Sequence, residues 1–277
     1  MKRWRRYDKV KEIIAKITKD YLYRLIQEGK RIDGRDMMEY RDLQITPGWI
    51  GPAEGSARVK LGDTEVVVGT KMDHGEPFPD TPSDGVVITS AELIPMASPQ
   101  YESGPPGEEA TELARVVDRG IREGGVIDTK KLCIEEGEKV WMIFIDIHVL
   151  NFDGNLIDAC GIGAMTALMN TVVPASEYED LGDDYKLPIE HIVIPTTFTK
   201  IRNQILLDSR LEEEKIAEAR LTVTTNENGN IVAMQKGLSG TFEYENTLEC
   251  IHKSKSIGEE LRQKVIEVVE SYEEEKL

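Results

Sequence analysis

Three arginines and one acidic run are the side chains of this sequence whose types and spacing could do chemistry. Arg115, Arg119 and Arg122 stand at i, i+4 and i+7, so a helix would carry them on one stripe. Leu113, Val117 and Ile121 would fall on its other side. Guanidiniums offer paired donors and permanent charge, which suits a phosphate backbone such as that of RNA. Ordinary ion pairing competes for them, because Asp118 lies four residues before Arg122 and Glu112 three before Arg115. The acidic run holds Asp208, Glu212, Glu213 and Glu214, and read by itself it is an acidic turn facing solvent. His74, His148, His191 and His252 have no metal-like spacing to one another or to acids, so no metal is expected. Gly161-Ile162-Gly163 lacks the third glycine of a dinucleotide site and no Gly-Lys-Ser/Thr loop occurs, so no cofactor is expected either.

Those residues must be held by a body large enough to bury a core. The sequence has 277 residues, 40% hydrophobic and 31% charged, within the range of globular proteins. No stretch approaches the ~20 apolar residues that cross a bilayer. The positive start, Met1-Lys-Arg-Trp-Arg-Arg-Tyr7, has no apolar segment behind it, since Lys9, Lys11 and Glu12 follow at once. Cys133, Cys160 and Cys250 are too few and too scattered for a disulfide framework or zinc ribbon, which fits a cytoplasmic protein. The net charge of −17 opposes unaided coating of nucleic acid. It is unevenly placed, because residues 1–35 hold 12 Lys/Arg against 5 Asp/Glu. Aromatic content of 6%, without clustering near basic residues, argues against a stacking-type single-strand binder.

The pattern predicts the following elements. Val10, Ile13, Ile14, Ile17, Tyr21, Leu22 and Leu25 have helical spacing over 9–28, with Gly29 as terminator. Residues 57–61 and 65–69 flank a Gly62-Asp-Thr turn and read as a hairpin. Strands follow at 86–89, 93–97 and 140–150, with a helix over 108–123 and a small-residue helix over 159–173. The second half reads as strands over 191–201, 204–207, 216–225 and 231–235, closed by a helix over 247–274 with a break near Gly258. The order points to α+β with mixed sheets. Residues 1–30 are an N-terminal helical extension, 31–175 a first half, 176–188 an acidic linker and 189–277 a second half.

Five stretches carry a family resemblance: Arg31-Ile-Asp-Gly-Arg35, Glu54–Gly69, Gly104–Arg122, Asp153–Ala159 and Leu207–Glu214. Together, over roughly residues 31–260, they resemble the RNase PH-like subunits of the RNA exosome. The third stretch and Asp158-Ala-Cys160 are specifically similar to archaeal subunits described as non-catalytic. The resemblance implies an RNase PH-like fold, ribosomal protein S5 domain 2-like, with two βαβ-type halves and packed helices. In active members the turn reads Asp-Gly-Gly-Thr/Ser-Arg, and its Gly, hydroxyl and Arg positions fall here on Asn155, Leu156 and Ile157. This phosphate site is degenerate, because leucine and isoleucine offer neither hydroxyl nor guanidinium. Active members also carry an Asp-x5-Asp acid pair, which here reads Asp208 and Glu214. A longer glutamate shifts the carboxyl, and catalytic groups tolerate displacements of about 1 Å poorly. The arginine-bearing stretch that precedes the central helix in active members is acidic here, Pro106-Gly-Glu-Glu109.

The expectation is therefore a chain with no catalytic residue of its own, inactive alone, within a 3′-to-5′ phosphorolytic RNA-degrading complex. By resemblance it alternates with a catalytic RNase PH-like subunit in a hexameric ring, a trimer of heterodimers, under RNA-binding cap subunits. Arg115, Arg119 and Arg122 would touch single-stranded RNA near the partner's active site. Two other readings stay open: an active phosphorolytic exoribonuclease using Asp208 and Glu214, and a stand-alone RNA-binding module.

Overall fold

The computed structural model describes residues 17–178 and 181–276. Helix α1 covers residues 17–27; the part of the expected N-terminal helix before residue 17 lies outside the described residues. Gly29, at φ +74°, ends it as the sequence indicates, with Lys30 N donating back to Leu25 O at 2.9 Å. In chain order follow β1 (Leu43–Pro47), β2 (Gly55–Leu61), β3 (Thr64–Gly75), β4 (Val86–Leu93), α2 (Glu108–Glu123), β5 (Cys133–Glu135) and β6 (Lys139–Asn151). Then come α3 (Leu156–Met169), β7 (Val172–Val173), β8 (Tyr185–Lys186), β9 (Ile194–Ile201), β10 (Gln204–Leu207), α4 (Leu211–Glu214), β11 (Ala219–Thr225), β12 (Ile231–Gly237) and α5 (Tyr244–Lys276).

The first sheet runs β1-β2-β3-β6-β4, with β5 against β6. Only the β4–β6 pairing is parallel, so the sheet is mixed as expected. The second sheet runs β10-β9-β11-β12 and is antiparallel throughout. In β6, Trp141, Ile143, Ile145, Ile147 and Val149 are buried in alternation, the period-2 signature of a strand with one face on a core.

Helix α3 lies between the two sheets. Every residue from Ile157 to Leu168 is buried, so the helix has no solvent-exposed face over that stretch. Its small residues make this possible: a Cβ on Gly161 would come within 2.4 Å of Pro195 on β9, and one on Gly163 within 2.8 Å of Val68 on β3. Helix α1 docks on the second half, where Leu22 and Ile26 join Ile201, Leu206 and Ile216.

Four sequence expectations are corrected. Residues 94–97 form a turn, because β4 ends at Leu93. Helix α3 starts at Leu156 rather than at 159 and stops at Met169, where β7 takes over. The linker is tied down in part, since β8 pairs with β7. Helix α5 runs unbroken through Gly258, which is there for close approach: a Cβ would lie 2.5 Å from Thr225 Oγ1.

Because both walls of α3 are fixed sheets, Gly161→Ala should cost about 2 kcal/mol through overpacking. Urea denaturation followed by circular dichroism checks this, and an unchanged midpoint would mean that α3 can slide away from β9.

Candidate functional site

The Asp153–Ala159 turn is built by backbone constraint first. Gly154 takes φ +85°, and a Cβ there would sit 2.4 Å from Ser209 O and 2.6 Å from Arg210 C, so only glycine fits. Asn155 follows in the left-handed region (φ 52°, ψ 49°) as N-cap of α3, a conformation that asparagine tolerates better than most residues. The helix therefore begins at Leu156, which places Leu156 and Ile157 in its first turn. Ile157 is buried and Leu156 packs against the core. Where the resemblance puts a hydroxyl and a guanidinium, both side chains are apolar.

The acidic run is not a solvent-facing turn; of its members only Glu212 is exposed. Asp208 is fully buried and Glu213 likewise. The physical reason is a set of arginines contributed by the segment between α1 and β1. Arg41 forks onto Asp208, with Nε to Oδ2 at 2.9 Å and Nη2 to Oδ1 at 2.7 Å, and its backbone N donates to Oδ2 at 2.9 Å. Arg35 Nη1 adds 3.0 Å to Oδ2, and Asn155 Nδ2 adds 2.8 Å to Oδ1. Arg31 forks onto Glu213 at 3.0 and 2.6 Å. Burial alone would raise the Asp208 pKa, but the hydrogen bonds and charge of Arg41 outweigh it and hold the carboxyl below its ordinary range.

Glu214 differs from its neighbour. Its Oε1 accepts from Asn155 N at 2.7 Å, and it lines a cavity of about 340 Å³ with Tyr101, Phe152, Leu156 and Ile157. Burial pushes its pKa up to about 7, against the opposing pull of the Asn155 N–H and of the Arg220 and Arg41 charges. The two members of the acid pair thus face different surroundings: Asp208 faces the arginines and Glu214 the cavity. Asp158 completes the layer below, accepting from Tyr40 OH at 2.5 Å, Thr197 Oγ1 at 2.7 Å, Thr197 N at 2.9 Å and Asn155 Nδ2 at 2.9 Å. Burial raises it to about 6 although all these donors lower it.

On α2 the expected division holds: Arg115, Arg119 and Arg122 are exposed, while Leu113, Val117 and Ile121 are buried. Together with Met234 and Gln235 of β12 the three arginines line a groove of about 590 Å³, which meets the cavity at Glu112. Arg122 is bound to Asp118 at 3.1 Å and to Val87 O at 3.0 Å. Glu112 pairs with Arg220 at 2.7 Å rather than with Arg115. Among the described residues, Arg115 and Arg119 enter no ion pair. No group of three or more His, Cys, Asp or Glu among the described residues could hold a metal ion. No helix among them is long and apolar enough to cross a membrane.

Sequence reading missed Arg41 and Tyr40, and it gave Arg31 and Arg35 no role. Their one signal is the Arg31-Ile-Asp-Gly-Arg35 cluster, a density of arginine in a chain that is acidic elsewhere.

Glu214 gives a pH test. Its ordinary value is 4.5 and its folded value about 7, so between these the folded chain holds a proton that the unfolded chain lacks. Stability should therefore fall as pH rises through that window. In Glu214→Gln this decline should shrink, leaving the smaller part from Asp158 that ends near pH 6. Urea midpoints measured from about pH 5 to pH 8 check it; equal slopes in both proteins would refute the assignment.

Comparison with known proteins gives one answer. Residues 39–174 match domain 1 of the 3′ exoribonuclease family, and residues 191–257 match its domain 2. "Exosome complex component Rrp42" of Methanocella arvoryzae is 52% identical over 254 residues, covering 92% of this chain and 97% of that protein. Its namesake in Thermococcus kodakarensis is 51% identical, covering 93% and 97%. Among solved structures, a chain of the "archaeoglobus fulgidus exosome with RNA bound to the active site" is 49% identical with a TM-score of 0.89, covering 91% of this chain and 99% of that one. A chain of an "Archaeal exosome core" is 46% identical with a TM-score of 0.85, covering 92% and 98%. With two family domains matched in order and relatives half identical along nearly its whole length, the chain belongs to the 3′ exoribonuclease family and has its RNase PH-like α+β fold.

Proposed function

We propose that this chain is a non-catalytic, RNA-contacting subunit of an archaeal exosome, a 3′-to-5′ phosphorolytic RNA-degrading complex. The observation that carries the proposal is the pair Leu156 and Ile157 on the first turn of α3, where a phosphate grip would need a hydroxyl and a guanidinium. The surroundings do not replace that grip. The cavity is lined by Glu109, Glu112 and Glu214 against Lys215 and Arg220, and Arg220 is already paired with Glu112. Asp208 is saturated by five donors and held ionised, so it has no proton to give. Names shared by the relatives, and the exosome structures similar to this chain, support the assembly.

In that role the chain pairs with a related catalytic subunit in an alternating hexameric ring in the cytoplasm, with RNA-binding caps on one face. Its phosphate-binding charge is the α2 stripe. Arg115 and Arg119 are free to meet a phosphate backbone, whereas Arg122 is restrained by Asp118. A local cationic stripe on an acidic body concentrates RNA in one groove and repels it elsewhere.

Two measurements test this. The purified chain, given poly(A) and inorganic phosphate, should release no nucleoside diphosphate, and turnover by the single chain would overturn the non-catalytic assignment. In the complex assembled with its catalytic partner, Arg115→Glu with Arg119→Glu should weaken RNA retention. Two lost contacts to a single strand should lower the salt slope of binding by about 1.4. Retention unchanged at every salt concentration would remove RNA contact from α2.

A further inference from the structure

We infer that the groove between α2 and β12 reads the ribose of an RNA strand, with Gln235 and Thr224 as the residues that distinguish RNA from DNA. The inference rests on the RNA contact proposed above for Arg115 and Arg119, and it adds a second wall to that contact. The groove of about 590 Å³ has α2 on one side and β11 with β12 on the other. In that hairpin Thr222 pairs with Gln235 and Thr224 with Ala233. Partners across a strand pair, and residues two apart along a strand, share one face of a sheet, so these four side chains lie together. All four line the groove.

Two of them stand out by their lack of partners. Other threonine hydroxyls of this sheet are bonded within the protein. Thr196 donates to Val223 O at 3.0 Å, Thr197 to Asp158 at 2.7 Å, Thr222 meets Thr197 at 2.8 Å, and Thr225 accepts from Arg262 at 3.4 Å. Among the described residues, Thr224 Oγ1 and the Gln235 side-chain amide have no hydrogen-bond partner. Thr224 is only 3% exposed and lies at the floor of the groove. A hydroxyl so placed is costly to leave unpaired, and a ligand that bonds it recovers that cost. Carboxylates in the lining do not block such a ligand. Glu112 is paired with Arg220 and Asp118 with Arg122, while Glu123 is the last residue of α2, past Arg119.

The two walls differ in chemistry. Arg115 and Arg119 stand about 6 Å apart along the helix axis, a spacing that suits successive phosphates of one strand. The sugar between those phosphates then faces β12. In RNA that sugar carries a 2′-hydroxyl, which both donates and accepts. A glutamine amide and a threonine hydroxyl can each do both as well, so either satisfies it whichever way its proton points. No aromatic ring lines the groove, so bases find no stacking platform there. The groove therefore reads backbone from both walls, charge from α2 and sugar from β12. A deoxyribose would leave Thr224 and Gln235 as unpaired as they are without a ligand.

The test compares fluorescent single-stranded oligoadenylate with oligodeoxyadenylate of equal length. Both are titrated, in phosphate-free buffer, against the complex assembled with its catalytic partner. Gln235→Leu should weaken RNA binding about five-fold and leave DNA binding unchanged, because one net hydrogen bond is lost from RNA alone. Thr224→Val, which keeps the shape and removes the hydroxyl, should narrow the RNA-to-DNA affinity ratio in the same direction. Scoring each variant by that ratio guards against misfolding, since a loss of folded complex moves both affinities together. Arg115→Glu with Arg119→Glu should instead weaken RNA and DNA alike. A ratio that keeps its wild-type value in both Gln235→Leu and Thr224→Val, while the arginine variant still weakens binding, overturns the ribose reading and leaves the RNA contact standing. An arginine variant that changes neither affinity removes the RNA contact itself, and the ribose reading falls with it.

Discussion

A single buried carboxylate holds the two halves of this molecule in register. Asp208 sits at the end of β10 with φ +48°, fully out of solvent, and its two oxygens accept from Arg41, Arg35 and Asn155. Those three partners come from the segment before β1 and from the turn that starts α3. Arg41 extends the same network to Asp153 O at 2.6 Å, and Arg31 repeats its logic on Glu213. A buried charge without its partner is strongly destabilising, by about 3–5 kcal/mol. The network therefore fixes the backbone of the turn before any ligand is considered. The left-handed Asn155 and Asp208, each an unfavourable conformation, are both held by it.

The same network divides the labour of the acidic pair. Five donors leave Asp208 no lone pair directed at the cavity, so it works as a strut. Glu214, six residues later, is left with one backbone donor in a cavity of mixed apolar and charged lining, and burial raises it toward neutrality. The two carboxylates that the resemblance pairs thus sit in different surroundings, one tied to guanidiniums and one facing the cavity. On another face, the exposed side of α2, two of the three guanidiniums enter no ion pair among the described residues.

Periodicity made the large elements legible. The alternation in β6, the hairpin around Gly62 and the division of α2 into apolar and arginine faces were all readable from residue types, because each depends on neighbours in sequence. The start of α3 was not, since the left-handed N-cap at Asn155 is set by Ser209 and Arg210 closing on Gly154. Nor was the burial of the acidic run. Polar residues read as exposed unless their partners are visible, and here the partners lie 167 to 182 positions away. The substitutions at Leu156 and Ile157 were plain in the sequence. The separate surroundings of Asp208 and Glu214 needed coordinates.

Helix α3 has a consequence for how the chain is made. It is complete once Met169 has been added, but the strand that covers its Gly161 side, β9, begins only at Ile194, and the rest of that wall arrives with β10 to β12. During synthesis a mostly apolar helix must wait for a later sheet to cover its Gly161 side. Such a nascent intermediate exposes the kind of surface that chaperones bind and that aggregates when crowded. The order of translation, rather than the finished architecture, is where this protein is most vulnerable.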